Sequence, residues 1–150
     1  MKRLLGALIL LACACAPADA PETRVRAVLV GLEAAVQARD VGALKDALSP
    51  DYKDAQGNDR RAVLALATAH FMRNQSVYVL SRIRSLEIPE PRFARADALV
   101  ALAGVPIRDA LSLPGLNADL YRFDVRLREE SGEWRIVSAA WQPATAGDFE

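Results

Sequence analysis

An α+β domain, three helices followed by a run of long antiparallel strands, is what the residue pattern predicts. Two observations carry the prediction. Apolar residues recur at three-four spacing up to residue 74 and at spacing two after residue 77, and the second half is broken by Pro and Gly turns at hairpin distances. Composition sets the scale: the 150 residues are 52% hydrophobic and 25% charged, an ordinary globular mixture with enough chain for one core.

Glu22 to Arg39 places Val25, Val28, Leu29, Leu32, Ala35 and Val36 on one stripe, the mark of an amphipathic helix. Asp40 caps a second, short helix, Val41 to Leu48, which Ser49-Pro50 closes. Asp51 to Asp54 is a brief extended segment ending in the turn Ala55-Gln56-Gly57-Asn58. The third helix runs from Asp59 to Asn74, with Val63, Leu66, Ala67, His70 and Phe71 on one face. Val77 to Ile88 is the first long strand, and Pro89-Glu90-Pro91 turns it into a second, Arg92 to Ala103. The connection Gly104 to Asp119 holds Val105, Ile107, Leu111, Leu113 and Leu116, too apolar for a free loop, so it packs back on the body. Leu120 to Arg128 alternates Tyr121, Phe123, Val125 and Leu127 inward with Arg122, Asp124, Arg126 and Arg128 outward. A loop at Glu129 to Glu133 leads to the last strand, Trp134 to Trp141, and residues 144–150 follow as a C-terminal tail.

Nineteen Lys+Arg balance nineteen Asp+Glu, which leaves no basic footprint for nucleic acid. Met1 to Ala12 has a basic start, Lys2 and Arg3, and an uncharged apolar run too short to span a bilayer of about 30 Å. That is the layout of a secretory signal. Both cysteines follow at once, Cys13 and Cys15, so the folded part has none for a disulfide. Leu10-Leu11-Ala12-Cys13 resembles the lipobox of bacterial lipoproteins. The resemblance implies a lipoprotein signal peptide over residues 1–12, lipid attachment at Cys13 and a tether over residues 13–21. With Ala14 after the cysteine instead of aspartate, it also implies an outer-membrane lipoprotein facing the periplasm. A conventional signal peptide cut after Ala16-Pro17-Ala18 or Ala18-Asp19-Ala20, with secretion to the periplasm, is the alternative.

Arg39-Asp40-Val41-Gly42-Ala43-Leu44 between the first helices, Asp51-Tyr52-Lys53-Asp54 after the second, and Gly132-Glu133-Trp134-Arg135-Ile136 in the closing hairpin stand in an order that resembles the NTF2-like superfamily. The resemblance covers residues 22–143 and implies a cystatin-like cone: three N-terminal helices packed on a curved antiparallel sheet around a pocket. SnoaL-like and ketosteroid isomerase-like enzymes share this fold with non-catalytic modules, so it implies no single function.

A ketosteroid isomerase-like site needs a carboxylate base, a tyrosine and a protonated acid. The resemblance carries the base to Asp54, the tyrosine to Ala35 and the acid to Phe123, so two of the three groups are missing. Asp54 also precedes a Gly-containing turn, where a carboxylate bonds backbone N–H groups. His70, the one histidine, would assist Asp54 and Tyr52 if all three faced the pocket, and is otherwise part of a packed helix face. With a lone histidine and no cysteine in the folded part, neither a metal nor a cofactor is expected.

Tyr52, Asp54, Phe71, Ala98, Tyr121 and Phe123 are the expected pocket lining, with Ala96 and Ala98 leaving room among the aromatics. Arg82, Arg84, Arg122, Arg126 and Arg128, interleaved with Glu87, Asp97, Asp124 and Glu129, read as a solvated, ion-paired face. The favoured function is a lipid-anchored, non-catalytic module for a small apolar ligand or an envelope protein. The alternatives are an enzyme using Asp54 for proton transfer on a hydrophobic substrate, and a homodimer that buries Ala139 and Trp141, or Arg122 and Arg126, on the outer sheet face.

Overall fold

The computed structural model describes residues 20–150; the leader, Cys13 and Cys15 lie outside the described residues. Helix α1 (Pro21–Gln37) opens with proline at a position where no N–H is needed. It closes in a Schellman turn, with Arg39 N–H on Val36 O at 3.0 Å and Asp40 N–H on Ala35 O at 2.8 Å. Arg39 takes the left-handed conformation (φ 57°) that glycine usually supplies there. Its guanidinium compensates by donating to Phe71 O at 2.7 Å and Gln75 O at 3.0 Å, tying the end of α3 to this corner. Asp40 caps α2 (Val41–Ala47) through Ala43 N–H, and Asp59 caps α3 (Arg60–Arg73) through Ala62 N–H.

The chain leaves α2 directly into β1 (Leu48–Asp54), so Ser49-Pro50 begins a strand where the sequence pattern closes a helix. Proline is accommodated because β1 lies at a sheet edge. Strands β2 (Tyr78–Glu90), β3 (Phe93–Ala103), β4 (Ala118–Glu130) and β5 (Glu133–Pro143) complete one sheet in the order β1-β5-β4-β3-β2. Successive strands from β2 to β5 pair antiparallel, whereas β1 pairs parallel to β5. The β2–β3 turn is Pro91-Arg92; Pro89 and Glu90 extend β2, which occupies the other edge. Between β4 and β5 the turn is Ser131-Gly132, both at positive φ (51° and 83°), the combination whose twist suits a two-residue hairpin.

Extra residues in the ladders bend the sheet and change which side chains face the helices. Arg84 is unmatched between the pairs Ile83↔Ala98 and Ser85↔Asp97, and Val137 between Ile136↔Leu127 and Ser138↔Arg126. Past Val137 the alternation flips, so Ala139 and Trp141 share the inner face with Trp134 and Ile136. Both therefore pack against the main core, which runs against the outer-face pairing surface that the sequence pattern suggests for them.

The main core lies between this inner face, α1 and β1, and includes Val25, Tyr52, Leu127, Trp134 and Ile136. A second cluster, Ala35, Leu44, Phe71 and Val77, joins the three helices to the sheet. On the outer face, Leu113 of the 3-10 turn Ala110–Gly115 and Phe149 near the chain end cover Leu99 and Ala101. The apolar connection thus packs back as its composition requires, and residues 144–150, read as a tail, complete that layer, held by Arg82 donating to the carbonyls of Phe149 and Glu150. The rest of the outer face carries diagonal ion pairs, Arg95 with Asp124 and Arg122 with Asp97, across β3 and β4. Among the described residues no helix is long and apolar enough to cross a membrane.

Candidate functional site

Between α1 and strands β2 to β4 lies a cavity of about 180 Å³. Leu29, Leu32, Glu33 and Val36 reach it from one face of α1, at three-four spacing. Alternate residues of the strands form the opposite wall: Val79, Ser81 and Ile83 from β2, Ala98, Val100 and Leu102 from β3, Phe123 and Val125 from β4. Ten of these twelve side chains are apolar. Ile83, Ala98 and Phe123 are in register across three strands, so a single methyl stands between two large side chains. Phe123 is braced from behind, its ring 5.8 Å from that of Trp141 and edge-on to Tyr121 at 6.2 Å.

The two polar members of the lining are bonded to each other, Ser81 Oγ donating to Glu33 Oε2. No sequence pattern drew attention to either. The available signal was that Glu33 lies four residues after Leu29, inside the apolar stripe of α1. What the sequence could not give is the β2 residue that meets it, 48 positions away.

Of the residues expected to line the pocket, Ala98 and Phe123 do so. Tyr52 is only 3% exposed and belongs to the main core. Burial, and then the charge of Asp54, pushes its phenol up to about 12, so it stays neutral at ordinary pH. Asp54 faces its own turn: Oδ1 accepts Gln56 N–H at 2.9 Å and Asn58 N–H at 2.8 Å, and Oδ2 accepts the Asn58 side-chain amide at 2.8 Å. Gly57, at φ 86°, supplies the left-handed residue the turn requires. The carboxylate therefore fixes the β1–α3 connection. Phe71 sits in the second cluster, and Tyr121 stands beside Phe123 without lining the cavity.

His70 packs edge-on to Phe71 at 6.2 Å and borders a different, polar hollow of about 240 Å³ with Asn74, Ser76, Asn117 and Asp119. Leu102 lines both spaces. The structure thus brings Ala98 and Phe123 to the cavity but not Tyr52, Asp54 and His70. Among the described residues no group of three or more His, Cys, Asp or Glu is placed to hold a metal ion.

A helix laid across a bent sheet is an arrangement shared with many solved structures. A putative calcium/calmodulin-dependent protein kinase type II association domain from Thiobacillus denitrificans superimposes with a TM-score of 0.64 at 15% identity, covering 80% of this chain and 94% of that one. For a ketosteroid isomerase-like protein from Erwinia carotovora atroseptica the values are 0.62, 12%, 83% and 96%. For an NTF-2 like protein of unknown function from Shewanella oneidensis they are 0.61, 14%, 81% and 98%. Bd1075 from Bdellovibrio bacteriovorus matches 82% of this chain at a TM-score of 0.64 and 7% identity, and the chain spans 40% of its length. No family model matches the sequence, nor does any curated protein. The fold is the NTF2-like, cystatin-like cone. At such identities the likeness establishes architecture, so a function has to be argued from the cavity.

Proposed function

We propose that the chain is a non-catalytic binding module that holds a small apolar ligand in the cavity under α1. The observation that carries this reading is the lining itself: ten apolar side chains with one bonded polar pair, between a helix and three strands. An apolar cavity of about 150 Å³ admits benzene in a well-studied engineered case. A space of about 180 Å³ is on the scale of one ring or the end of an acyl chain. Binding without chemistry is supported by Asp54, the carboxylate the family likeness singles out, being engaged in a turn outside the cavity. The address remains part of the proposal: lipid on Cys13, carried by Leu10-Leu11-Ala12-Cys13, would hold the module at the outer membrane on its periplasmic side.

Filling the cavity tests the reading. Ala98→Phe adds a ring between Ile83 and Phe123 and should reduce binding of a ring-sized apolar probe such as toluene at least about tenfold. The accompanying change in stability should stay below the roughly 1–3 kcal/mol typical of overpacking a full core, because the space exists. Equal binding of toluene by the variant, or no binding by the unaltered chain, would sink it.

A further inference from the structure

We infer that the ligand of this cavity carries a positively charged nitrogen on an apolar body, so that its class is a small hydrophobic amine. The inference rests on the binding reading above and goes past it through one side chain. Glu33 is the only ionisable residue among the twelve that line the space. A carboxylate offers about four lone-pair sites, and the Ser81 hydroxyl fills one of them.

Among the described residues Glu33 takes part in no ion pair, whereas six arginines, Arg24, Arg26, Arg95, Arg122, Arg128 and Arg135, pair with Glu22, Asp51, Asp97, Asp124, Glu129, Glu130 and Glu133. Its position also lacks the usual intrahelical supply of positive charge, since the last turn of α1 contains no basic residue. A carboxylate beside apolar walls is stabilised by a partner charge with hydrogens to donate. The negative end of the α1 dipole, one turn away, favours the same sign of ligand.

Ser81 sharpens the choice. Its one hydrogen is committed to Glu33, which leaves its oxygen as an acceptor facing the same space. An ammonium group has hydrogens for both Glu33 and Ser81, an alcohol has one and no charge, and an acid would set a second negative charge beside the first. Ile83, Ala98 and Phe123 then receive the apolar body of the ligand.

Three probes with one phenyl-ethyl or phenyl-methyl body separate these cases: phenethylamine, phenethyl alcohol and phenylacetate. Each is titrated into the full chain near neutral pH, with binding read by NMR at the methyl groups of Ala98 and Val100. The amine should bind at least about tenfold more tightly than the alcohol, and phenylacetate most weakly. Glu33→Gln should bring the amine down to the level of the alcohol, and the Ala98 and Val100 methyl signals of the ligand-free variant, compared with those of the unaltered chain, check that the cavity is intact. Equal binding of amine and alcohol, or an amine preference that survives Glu33→Gln, overturns the amine inference and leaves the apolar cavity standing. No shift with any of the three probes overturns both.

Discussion

The inner face of the sheet has two halves that share the same alternation of side chains and differ in what they enclose. Toward β1 and β5, Tyr52, Leu127, Trp134 and Ile136 meet Val25 of α1, and all are between 0% and 4% exposed. Toward β2 and β3, Ala98, Val100 and Ser81 face Leu32, Glu33 and Val36, and a cavity remains. Small residues alone do not explain the contrast. Ala94 and Ala96 are as small as Ala98 but are sealed at 3% and 0% exposure, Ala94 packing in the same cluster as Leu127 and Trp134. A methyl on one wall makes room only where the facing wall does not reach across to fill it.

The largest expected effect tests that contrast directly. Leu127→Ala in the filled half should cost about 3 kcal/mol in urea unfolding, because it empties a site whose neighbours cannot collapse. Val100→Ala in the hollow half should cost about 1 kcal/mol, since its side chain already borders unfilled space. A Val100→Ala loss of about two thirds of the Leu127→Ala loss, in proportion to the carbons removed, would mean that the two halves are packed alike.

Tyr52 gives a second measure of how dry the filled half is. Well below pH 10, its ordinary value, the phenol keeps its proton in both folded and unfolded chains, and stability does not change on its account. Between 10 and about 12 only the unfolded chain ionises, so the folded state binds more protons and stability falls as pH rises. The loss should reach about 2 kcal/mol at the upper end of that window. Tyr52→Phe should remove the slope without steepening it elsewhere. A phenolate absorbance titrating near its ordinary value in the folded protein would show that water reaches this half too.

Much of this division was legible in the sequence, because it rests on local rules. The stripe of α1, the capping aspartates Asp40 and Asp59, the alternation of β4 and the apolar connection before it all come from spacing that neighbouring residues share. Asp54 was legible as a turn residue for the same reason. The parallel partner of β1 was not, since Leu48–Asp54 meets β5 more than eighty residues later and nothing in a short strand states its direction. Nor was the flip at Val137 visible: Val137-Ser138-Ala139-Ala140 contains small residues that fit either face, so the bulge left no mark on the pattern. The cavity was expected from Ala98 and Phe123, yet its polar pair joins a helix to a strand distant in sequence. Side-chain size is written locally, whereas the partner that fills or spares a space is not.

The smallest effect belongs to the outer face, where charge takes the place of packing. Arg95 and Arg126 stand directly opposite each other on β3 and β4, as do Asp97 and Asp124, so straight pairing would set like charges together. The twist relieves this by letting Arg95 reach Asp124 and Arg122 reach Asp97 along the diagonals. The Arg95 and Arg122 side chains are 57% and 44% exposed, and water and salt screen what each pair contributes. Arg122→Gln should therefore leave the urea midpoint unchanged within error at both low and high salt. A fall that disappears with added salt would show the diagonal pairs holding β3 to β4. A fall that persists with salt would point instead to the buried Asp97 oxygen, which lacks a hydrogen-bond partner among the described residues and would need the guanidinium beside it.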